Sequence, residues 1–459
     1  MARALLPAAP AIVPALVCLA FAGTQQPAVF PDPAGTIATI HTDGSPVALT
    51  GPFFEPLASS GRSCATCHRP AQDWTISTAE IQTRFEATKG LDPIFRTNDG
   101  SNCDRGMDVS TLPARRAAYS LLRERGLIRM ALPVPANAEF EIVSVENPYG
   151  CNDRAVVSAY RRPLPVTNLH LLSTVMWDGR ESVSDLTHQA LDAATRHAQA
   201  TTPLSPQQQQ ALVDYEMNLV TAQTSDRDAG RLDADGAIGG PAILAAKTVP
   251  SFVPGINDRR GGDPHGIKAE NAFRLFDEWS KVPYGRVYQD VQPESDPREN
   301  RRAAIVRGQV LFDQKPFDIT DVAGFNDDLN VARITGACGT CHNSPNAGNH
   351  STISTMDTGV AGLASPLDIA YLPRITLRNR MTQETKITTD PGRALITGRW
   401  KDIGRMKAPT LRGLAARAPY FHNGSAGSLM DVVNFYDSRF HIGFSAREKD
   451  DLVAFLSAL

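Results

Sequence analysis

The sequence predicts a mainly α-helical protein of two domains with long ordered loops and inserts. Residues 212–222, 303–312 and 446–459 have the apolar spacing of amphipathic helices. Alternation of apolar and polar residues, which is typical of half-buried strands, is scarce between them. One cysteine–histidine motif occurs twice, at 64–68 and at 338–342. The 459 residues leave room for two to three domains of ordinary size, so we expect one motif in each of two domains.

The repeated motif has the spacing of c-type haem attachment, reading CATCH in the first copy and CGTCH in the second. Two thiols three positions apart can bond both vinyl groups of one porphyrin, and the adjacent histidine can then bind the iron. A thioredoxin-like redox pair would need a βαβ context, and a shared zinc site would leave both histidines unused. We therefore predict two covalently bound haem c groups. Their predicted ligands are Cys64, Cys67 and His68 for the first, and Cys338, Cys341 and His342 for the second.

The N-terminus resembles a secretory signal peptide. Arg3 precedes an apolar stretch over 4–22 that ends in Ala-Phe-Ala before Gly23. A membrane anchor is the alternative, but three prolines and a short length disfavour it. We expect cleavage after residue 22, no membrane insertion of the mature chain, and a periplasmic or otherwise extracytoplasmic location, which agrees with covalent haem attachment.

Charge and the remaining cysteines add two expectations. A formal charge of −3 over the whole chain argues against a nucleic-acid partner. Cys103 and Cys151 lie outside the haem motifs, and export makes a disulfide between them plausible. Two unpaired buried thiols remain the alternative, because sequence does not show whether the two residues can reach each other.

The predicted domains divide the chain in the polar run 293–302, just before the helix that leads into the second motif. An N-terminal haem domain would cover 23–295, with inserts at about 85–160 and 225–295. A C-terminal haem domain would cover 296–459. The stretches 226–240 and 253–266 are rich in glycine, proline and aspartate and are expected to be ordered loops.

Three stretches resemble the bacterial di-haem cytochrome c peroxidases and their MauG-like relatives. From Lys407 the chain reads KAPTLRGLAARAPYFHNGSAGSLMDVVNFYD, which is similar to the signature after the second haem of that family. Residues 167–189, which include MWDGR at 176–180, resemble the stretch between the haems, and the pairs at 307–308 and 311–312 also fit. Blocks at about 85–160, 225–295 and 343–400 match poorly. The resemblance implies two cytochrome c-like haem domains.

The resemblance also implies an activity. The haem of the first motif would react with hydrogen peroxide, and the second would relay electrons from a small cytochrome c or cupredoxin. Trp177 matches a tryptophan placed between the haems and implicated in electron transfer, although it could simply be a core aromatic. The alternatives are a MauG-like oxidase acting on an organic or protein substrate, and a non-enzymatic di-haem electron carrier.

The distal ligand of the second haem separates these relatives. Peroxidases usually carry methionine fourteen residues after the signature histidine, here His422, whereas this chain has Tyr436, as MauG-like proteins do. A phenolate stabilises ferric iron, while methionine raises the potential. We therefore expect His68, His342 and Tyr436 as iron ligands. Tyr436 could instead pack within a helix and leave ligation to Met430, Met406 or His441.

The distal side of the first haem departs from the family pattern. The family carries a glutamate about twenty residues beyond the tryptophan, where this chain has His197. His197 is therefore the candidate base or sixth ligand, and Gln199 a candidate polar neighbour. Glu216 is expected on a helix surface, and His188 in a structural role.

The residues that bind calcium in the family are also altered in this sequence. The family often binds one calcium ion between the domains through an asparagine side chain and backbone carbonyls, and the asparagine position is Arg162 here. A cation there opposes a second cation, which disfavours calcium, although the carbonyls of Arg417 and Pro419 could still serve. The insert holding Cys103 and Cys151 is where substrate identity could be set.

Overall fold

The computed structural model describes residues 26–57, 60–247, 271–281, 295–350 and 354–459. The predicted signal peptide, the loop at 253–266 and the first residues of the predicted domain boundary lie outside this part of the chain. No helix within the described ranges is long and apolar enough to cross a membrane.

The expectation of a mainly α-helical fold is wrong, because the protein is mixed α/β. Helices make up 31% of the structure and strands 18%, distributed over several sheets. Some of the strands were overlooked because they are buried on both faces and therefore lack alternation. Leu219–Asp226, for example, has five consecutive buried residues from its first position.

Eleven α-helices are present in the described ranges. The amphipathic segments at 303–312 and 446–459 lie in α7 and α11, as predicted, whereas 212–222 begins inside α5 and ends in a strand. The helices are α1 (Thr78–Thr88), α2 (Leu112–Ala118), α3 (Ser120–Arg125), α4 (Leu186–Arg196), α5 (Pro206–Asn218), α6 (Ala242–Ala245), α7 (Pro297–Gln314), α8 (Cys338–Cys341), α9 (Ala394–Thr397), α10 (Leu429–Phe440) and α11 (Ala446–Ser457).

The strands form one four-stranded, one three-stranded and three two-stranded sheets in the described part, with the orders β1-β2-β8-β9, β13-β12-β4, β3-β5, β6-β7 and β10-β11. All their pairings are antiparallel. The strands are β1 (Ala28–Pro31), β2 (Gly35–His41), β3 (Ile128–Pro133), β4 (Phe140–Glu146), β5 (Val156–Arg161), β6 (Thr174–Val175), β7 (Glu181–Ser182), β8 (Leu219–Asp226), β9 (Gly230–Arg231), β10 (Phe317–Thr320), β11 (Arg333–Gly336), β12 (Arg374–Asn379) and β13 (Thr385–Thr388).

Helices α7 and α11 form the core beside the second motif. A Cβ atom added to Gly308 of α7 would lie 2.0 Å from the carbonyl oxygen of Asp451 in α11, so a glycine is needed where the two backbones approach. The neighbouring Arg307 donates to both carboxylate oxygens of Asp451 at 2.8 and 2.7 Å. Phe273 and Phe276, from the described end of the second insert, belong to the same apolar core.

The poorly matching blocks at about 85–160 and 343–400 build one shared lobe, and we call them the earlier and the later insert. Strand β4 of the earlier insert pairs with β12 of the later one, so segments more than 200 residues apart form a single sheet. The core beneath it includes Phe140, Val157 and Leu377. The predicted disulfide is present: Cys103 and Cys151 are bonded, with their Cα atoms 5.5 Å apart. The bond ties the two ends of the earlier insert together.

Candidate haem sites

Each CxxCH motif borders a cavity. The cavity beside Cys64, Cys67 and His68 has a volume of about 200 Å³, and the one beside Cys338, Cys341 and His342 about 220 Å³. We call them the first and the second cavity. Within the described residues, none of the four motif cysteines forms a disulfide bond. Each motif folds as one short helical turn, Cys64–Thr66 or Cys338–Cys341, which brings both thiols and the histidine to the cavity wall.

The two motif histidines are held in the same way. Nδ1 of His68 lies 2.9 Å from the carbonyl oxygen of Trp74, and Nδ1 of His342 lies 2.6 Å from that of Gly348. A carbonyl only accepts, so Nδ1 carries the hydrogen in both rings. The unprotonated Nε2 is then free to bind a metal, which is the usual arrangement of a ligating histidine.

The donor sets fit c-type haem. Burial lowers the pKa of His68 to about 4, which keeps the ring neutral as metal ligation requires. Burial raises the pKa of Cys67 to about 11 and that of Cys338 to about 12, so both sulfurs are neutral thiols ready for thioether formation. Two thiols and one neutral imidazole beside each cavity match the chemistry that covalent haem attachment needs.

His197 lines the first cavity and is anchored by a buried carboxylate. Its Nδ1 lies 2.7 Å from Oδ2 of Asp99, whose other oxygen accepts from Arg62 Nη1 at 2.7 Å. Arg62 also donates to the carbonyl of His197 at 2.8 Å. Burial alone would raise the pKa of Asp99, but the hydrogen bond from His197 and the charge of Arg62 outweigh it and lower the pKa. Asp99 is therefore ionised.

Of the other candidate residues near the first motif, some lie at places that the sequence analysis did not predict. Gln199 does not line the cavity, and its backbone is left-handed (φ 57°). His188 is exposed and lies 3.0 Å from Glu181. The expected surface position of Glu216 is wrong: Glu216 is buried, lines the first cavity, and burial raises its pKa to about 8. Its helix α5 packs on α4, and Glu216 is buried on α5 together with Leu212.

Trp177 lies between the two cavities and lines both of them, together with the segment 162–165. Its Nε1 donates to the carbonyl of Arg162 at 2.8 Å, and its own carbonyl accepts from the amide of Lys407 at 2.7 Å. The ring centroid of His422 is 6.0 Å from the indole. The indole is thus fixed at the wall that the two cavities share.

A buried ion network fixes the turn that carries Trp177. Asp178 is fully buried and accepts from Arg161 at 2.5 Å and from Arg180 at 2.7 Å. Arg161 also donates to both carboxylate oxygens of Asp390 at 2.7 and 2.9 Å. Arg393 donates to the carbonyls of Asp178 and Gly179. Asp390 and Arg393 come from the later insert, so the lobe holds the tryptophan in place.

Tyr436 lines the second cavity from helix α10. Burial raises the pKa of its phenol well above the usual range, so the free side chain is neutral. Of the sequence alternatives, Met406 also lines this cavity, whereas Met430 and His441 do not. Met356, which bridges to Met406 through backbone hydrogen bonds, is a further thioether on the same wall.

Arg162 occupies the place where calcium was considered. Its Nη2 donates to the carbonyls of Ile76 and Arg417 at 2.7 and 3.0 Å. The guanidinium thus uses the Arg417 carbonyl that a calcium ion would need. Within the described residues, no group of three or more acidic, histidine or cysteine side chains could hold a metal ion.

Sequence reasoning missed Asp99, Arg62 and Gln189, which all line the first cavity. Asp99 lies in a block that resembles nothing in the family, and no local pattern marks it. Gln189 precedes His197 by two helical turns on α4, so helical spacing alone could have indicated that the two share a face.

A family model described as RoxA-like, cytochrome c-like matches residues 406–442. Among curated proteins, the chain is 26% identical over 260 residues to the cytochrome-c peroxidase IdrP1 of Pseudomonas sp. (strain SCT), covering 49% of this chain and 59% of that protein. It is 34% identical over 118 residues to cytochrome-c peroxidase IdrP1 of Denitromonas iodatirespirans, covering 21% and 31%.

These matches support the resemblance to cytochrome c peroxidases that the sequence motifs indicated. The cytochrome c-like match over 406–442 is consistent with covalently bound haem c. The aligned part spans 59% of the first relative and less of the second. A solved MauG-like protein associated with microbial copper homeostasis shares 14% identity at a TM-score of 0.31, covering 66% of this chain and 76% of that one, a likeness too weak to bear on the fold.

Proposed function

We propose that the chain is an extracytoplasmic di-haem oxidoreductase that reduces hydrogen peroxide with electrons from a small redox protein. One observation carries this proposal. His197, held by Asp99, lines the same cavity as the first CxxCH motif, and Trp177 connects that cavity to the one beside the second motif. A proton-transfer group and an electron path thus meet at one site.

Bound haem supplies the iron at which the O–O bond of peroxide is cleaved. Reduction of hydrogen peroxide to two water molecules takes up two protons and two electrons. Because Asp99 accepts from Nδ1 of His197, the nitrogen left to exchange a proton with peroxide is Nε2. His197 would take the proton from one peroxide oxygen and return it to the oxygen that leaves.

Asp99 and Arg62 position His197 for this exchange. The ionised carboxylate fixes the ring orientation and stabilises the imidazolium formed when Nε2 takes a proton. Arg62 is buried, and its donation to Asp99 and to the carbonyl of His197 holds both partners in one frame. The family pattern has a glutamate at this place. Here a histidine, together with a carboxylate from the earlier insert, would transfer the peroxide proton.

Electrons would enter at the second haem and pass through Trp177. The indole borders both cavities, and its nitrogen and carbonyl are fixed by Arg162 and Lys407. The proposed donor is a small cytochrome c or cupredoxin. The candidate signal peptide over 1–22 supports a periplasmic or similar location for this encounter.

A MauG-like oxidase acting on an organic or protein substrate is the second candidate function. Tyr436 on the wall of the second cavity favours it, because a phenolate ligand stabilises ferric iron and opposes reduction by a high-potential donor. Met356 and Met406 on the same wall favour the peroxidase, since either could ligate in its place.

The deciding experiment is peroxide-dependent oxidation of a ferrous small cytochrome c by the haem-loaded mature protein, with and without pre-reduction. The peroxidase predicts sustained turnover that falls in the His197→Ala variant and persists in His188→Ala, which alters an exposed histidine of the same helix. No turnover, combined with a spectral response to peroxide alone, would favour the MauG-like oxidase. If peroxide does not change the haem spectrum, both the peroxidase and the MauG-like oxidase are contradicted. The non-enzymatic electron carrier would then be the remaining function.

A further inference from the structure

Three cationic side chains meet where the two cavities adjoin. Arg162, Lys407 and Arg417 all line the second cavity, and Arg162 also lines the first. Arg162 and Arg417 are buried at 4% and 8% exposure. We call these three residues the cation cluster.

The cation cluster has fewer neighbouring carboxylates than cations. Arg417 lies 3.4 Å from Asp73, but in the described part of the chain no carboxylate is within salt-bridge distance of Arg162 or Lys407. Among the described residues, Nη1 of Arg162 and Nε of Arg417 have no hydrogen-bond partner. Within the same ranges, the one hydrogen bond of Lys407 Nζ is to the carbonyl of Ala408, at 3.4 Å. Buried charges are normally paired, because an unpaired one costs several kcal/mol.

The cluster's members also repel one another. Burial, and then the charge of Arg417, lower the pKa of Arg162 to about 9 and that of Lys407 to about 8. Burial raises the pKa of Asp73 to about 8, so that carboxyl is a weak counter-charge near neutral pH. A site with this excess of positive charge would be stabilised by an anion carrying more than one negative charge.

We propose that the cation cluster binds the two carboxylates of the porphyrin held by Cys338 and Cys341. This inference rests on the haem attachment in the proposed function, and it adds the residues that neutralise the group's acidic edge. A porphyrin filling the second cavity from its cysteines would bring its propionate side chains to the charged wall. Arg162, which touches both cavities, would then link the electrostatics of the two haems.

The test is a redox titration of the haem-loaded protein. Ferric haem carries one positive charge more than ferrous haem, so removing a nearby cation stabilises the ferric form. Lys407→Gln and, separately, Arg162→Gln should each lower the midpoint potential of the second haem and shift its propionate bending band in resonance Raman spectra. Lys401→Gln is the matched control, because Lys401 lies six residues earlier with its side chain 57% exposed. This control variant should change neither the midpoint potential nor the propionate band.

The outcomes separate this inference from the proposed activity. Potentials and Raman bands of both variants equal to those of the control would overturn the inference, even if peroxide turnover is intact. Shifted potentials in a protein without turnover would support the inference and reject the peroxidase. Mass spectrometry of the peptide holding Cys338 and Cys341 shows whether haem is attached, and an unmodified peptide would overturn the inference together with the di-haem proposal.

Discussion

Nδ1 of His197 lies 2.7 Å from Oδ2 of Asp99, although the two residues are 98 positions apart. Asp99 is buried in the earlier insert, and His197 follows helix α4 at the wall of the first cavity. The pair therefore forms only when the insert folds against the haem region. This makes the insert part of the candidate chemistry and not an accessory lobe.

Replacing Asp99 by asparagine should slow the reaction with peroxide about 10–100-fold, the usual effect of removing a partner that orients a histidine. The neutral amide cannot stabilise the imidazolium as the carboxylate does. Stopped-flow mixing of the haem-loaded variant with peroxide measures the rate. His197→Ala should cost more, about 10²–10⁴-fold. Equal rates in Asp99→Asn and the unaltered protein would remove Asp99 from the mechanism.

Replacing Trp177 by phenylalanine should slow electron transfer between the haems while leaving the first reaction with peroxide near its normal rate. The change removes the indole nitrogen that donates to Arg162 and raises the energy of any radical on the ring. Rapid-scan spectroscopy after reduction of the second haem follows the transfer. Trp400→Phe, in the insert lobe, is the control and should behave as the unaltered protein. Undiminished transfer in Trp177→Phe would make the residue a core aromatic.

Replacing Asp178 by asparagine should lower the free energy of unfolding by about 3–5 kcal/mol, because it leaves the buried Arg161 and the half-buried Arg180 without their shared carboxylate. Urea denaturation followed by circular dichroism measures the loss. Glu141→Gln breaks an exposed ion pair with Arg378 and should have little effect. If the two variants unfold at the same urea concentration, the network does not stabilise the turn that carries Trp177.

Removing the disulfide by Cys103→Ser should lower the free energy of unfolding by about 2–4 kcal/mol, since the bond closes a loop of 48 residues. Dithiothreitol should lower the stability of the unaltered protein by the same amount, because thiols reduce disulfides but leave haem thioethers intact. The Cys103→Ser variant should not respond to the reductant. If dithiothreitol lowers the stability of Cys103→Ser as much as that of the unaltered protein, the reductant acts on something other than this disulfide.

The sequence predicted the parts of the site that are local in the chain. Both CxxCH motifs line cavities with their thiols and histidines. The spacing within five residues determines how these three side chains are arranged relative to one another. Trp177 was predicted from a short motif, and it does line both cavities. The disulfide could only be proposed as one of two possibilities, because the distance between Cys103 and Cys151 depends on how the insert folds.

The parts that failed depend on tertiary structure. Strands such as β5 and β8 are buried on most of their length, so their sequences do not alternate and helix content was overestimated. Glu216 was expected at the surface because residues 212–222 have the spacing of an amphipathic helix, and a charged residue on such a helix usually faces solvent. Asp99 gave no signal, since nothing near it in sequence indicates that it would meet His197.

Replacing Glu216 by glutamine should remove a pH dependence of stability. Burial raises the pKa of Glu216 from 4.5 to about 8, so the folded protein keeps a proton that the unfolded chain loses. Its contribution to the free energy of unfolding is therefore undiminished below about pH 4.5 and is lost as pH rises toward 8, by roughly 1.4 kcal/mol per pH unit within that window. Urea denaturation of the haem-loaded protein at pH 5 and pH 7.5 should show this decline, and Glu216→Gln should flatten it. An equally steep decline in the variant would mean that another group carries the titration.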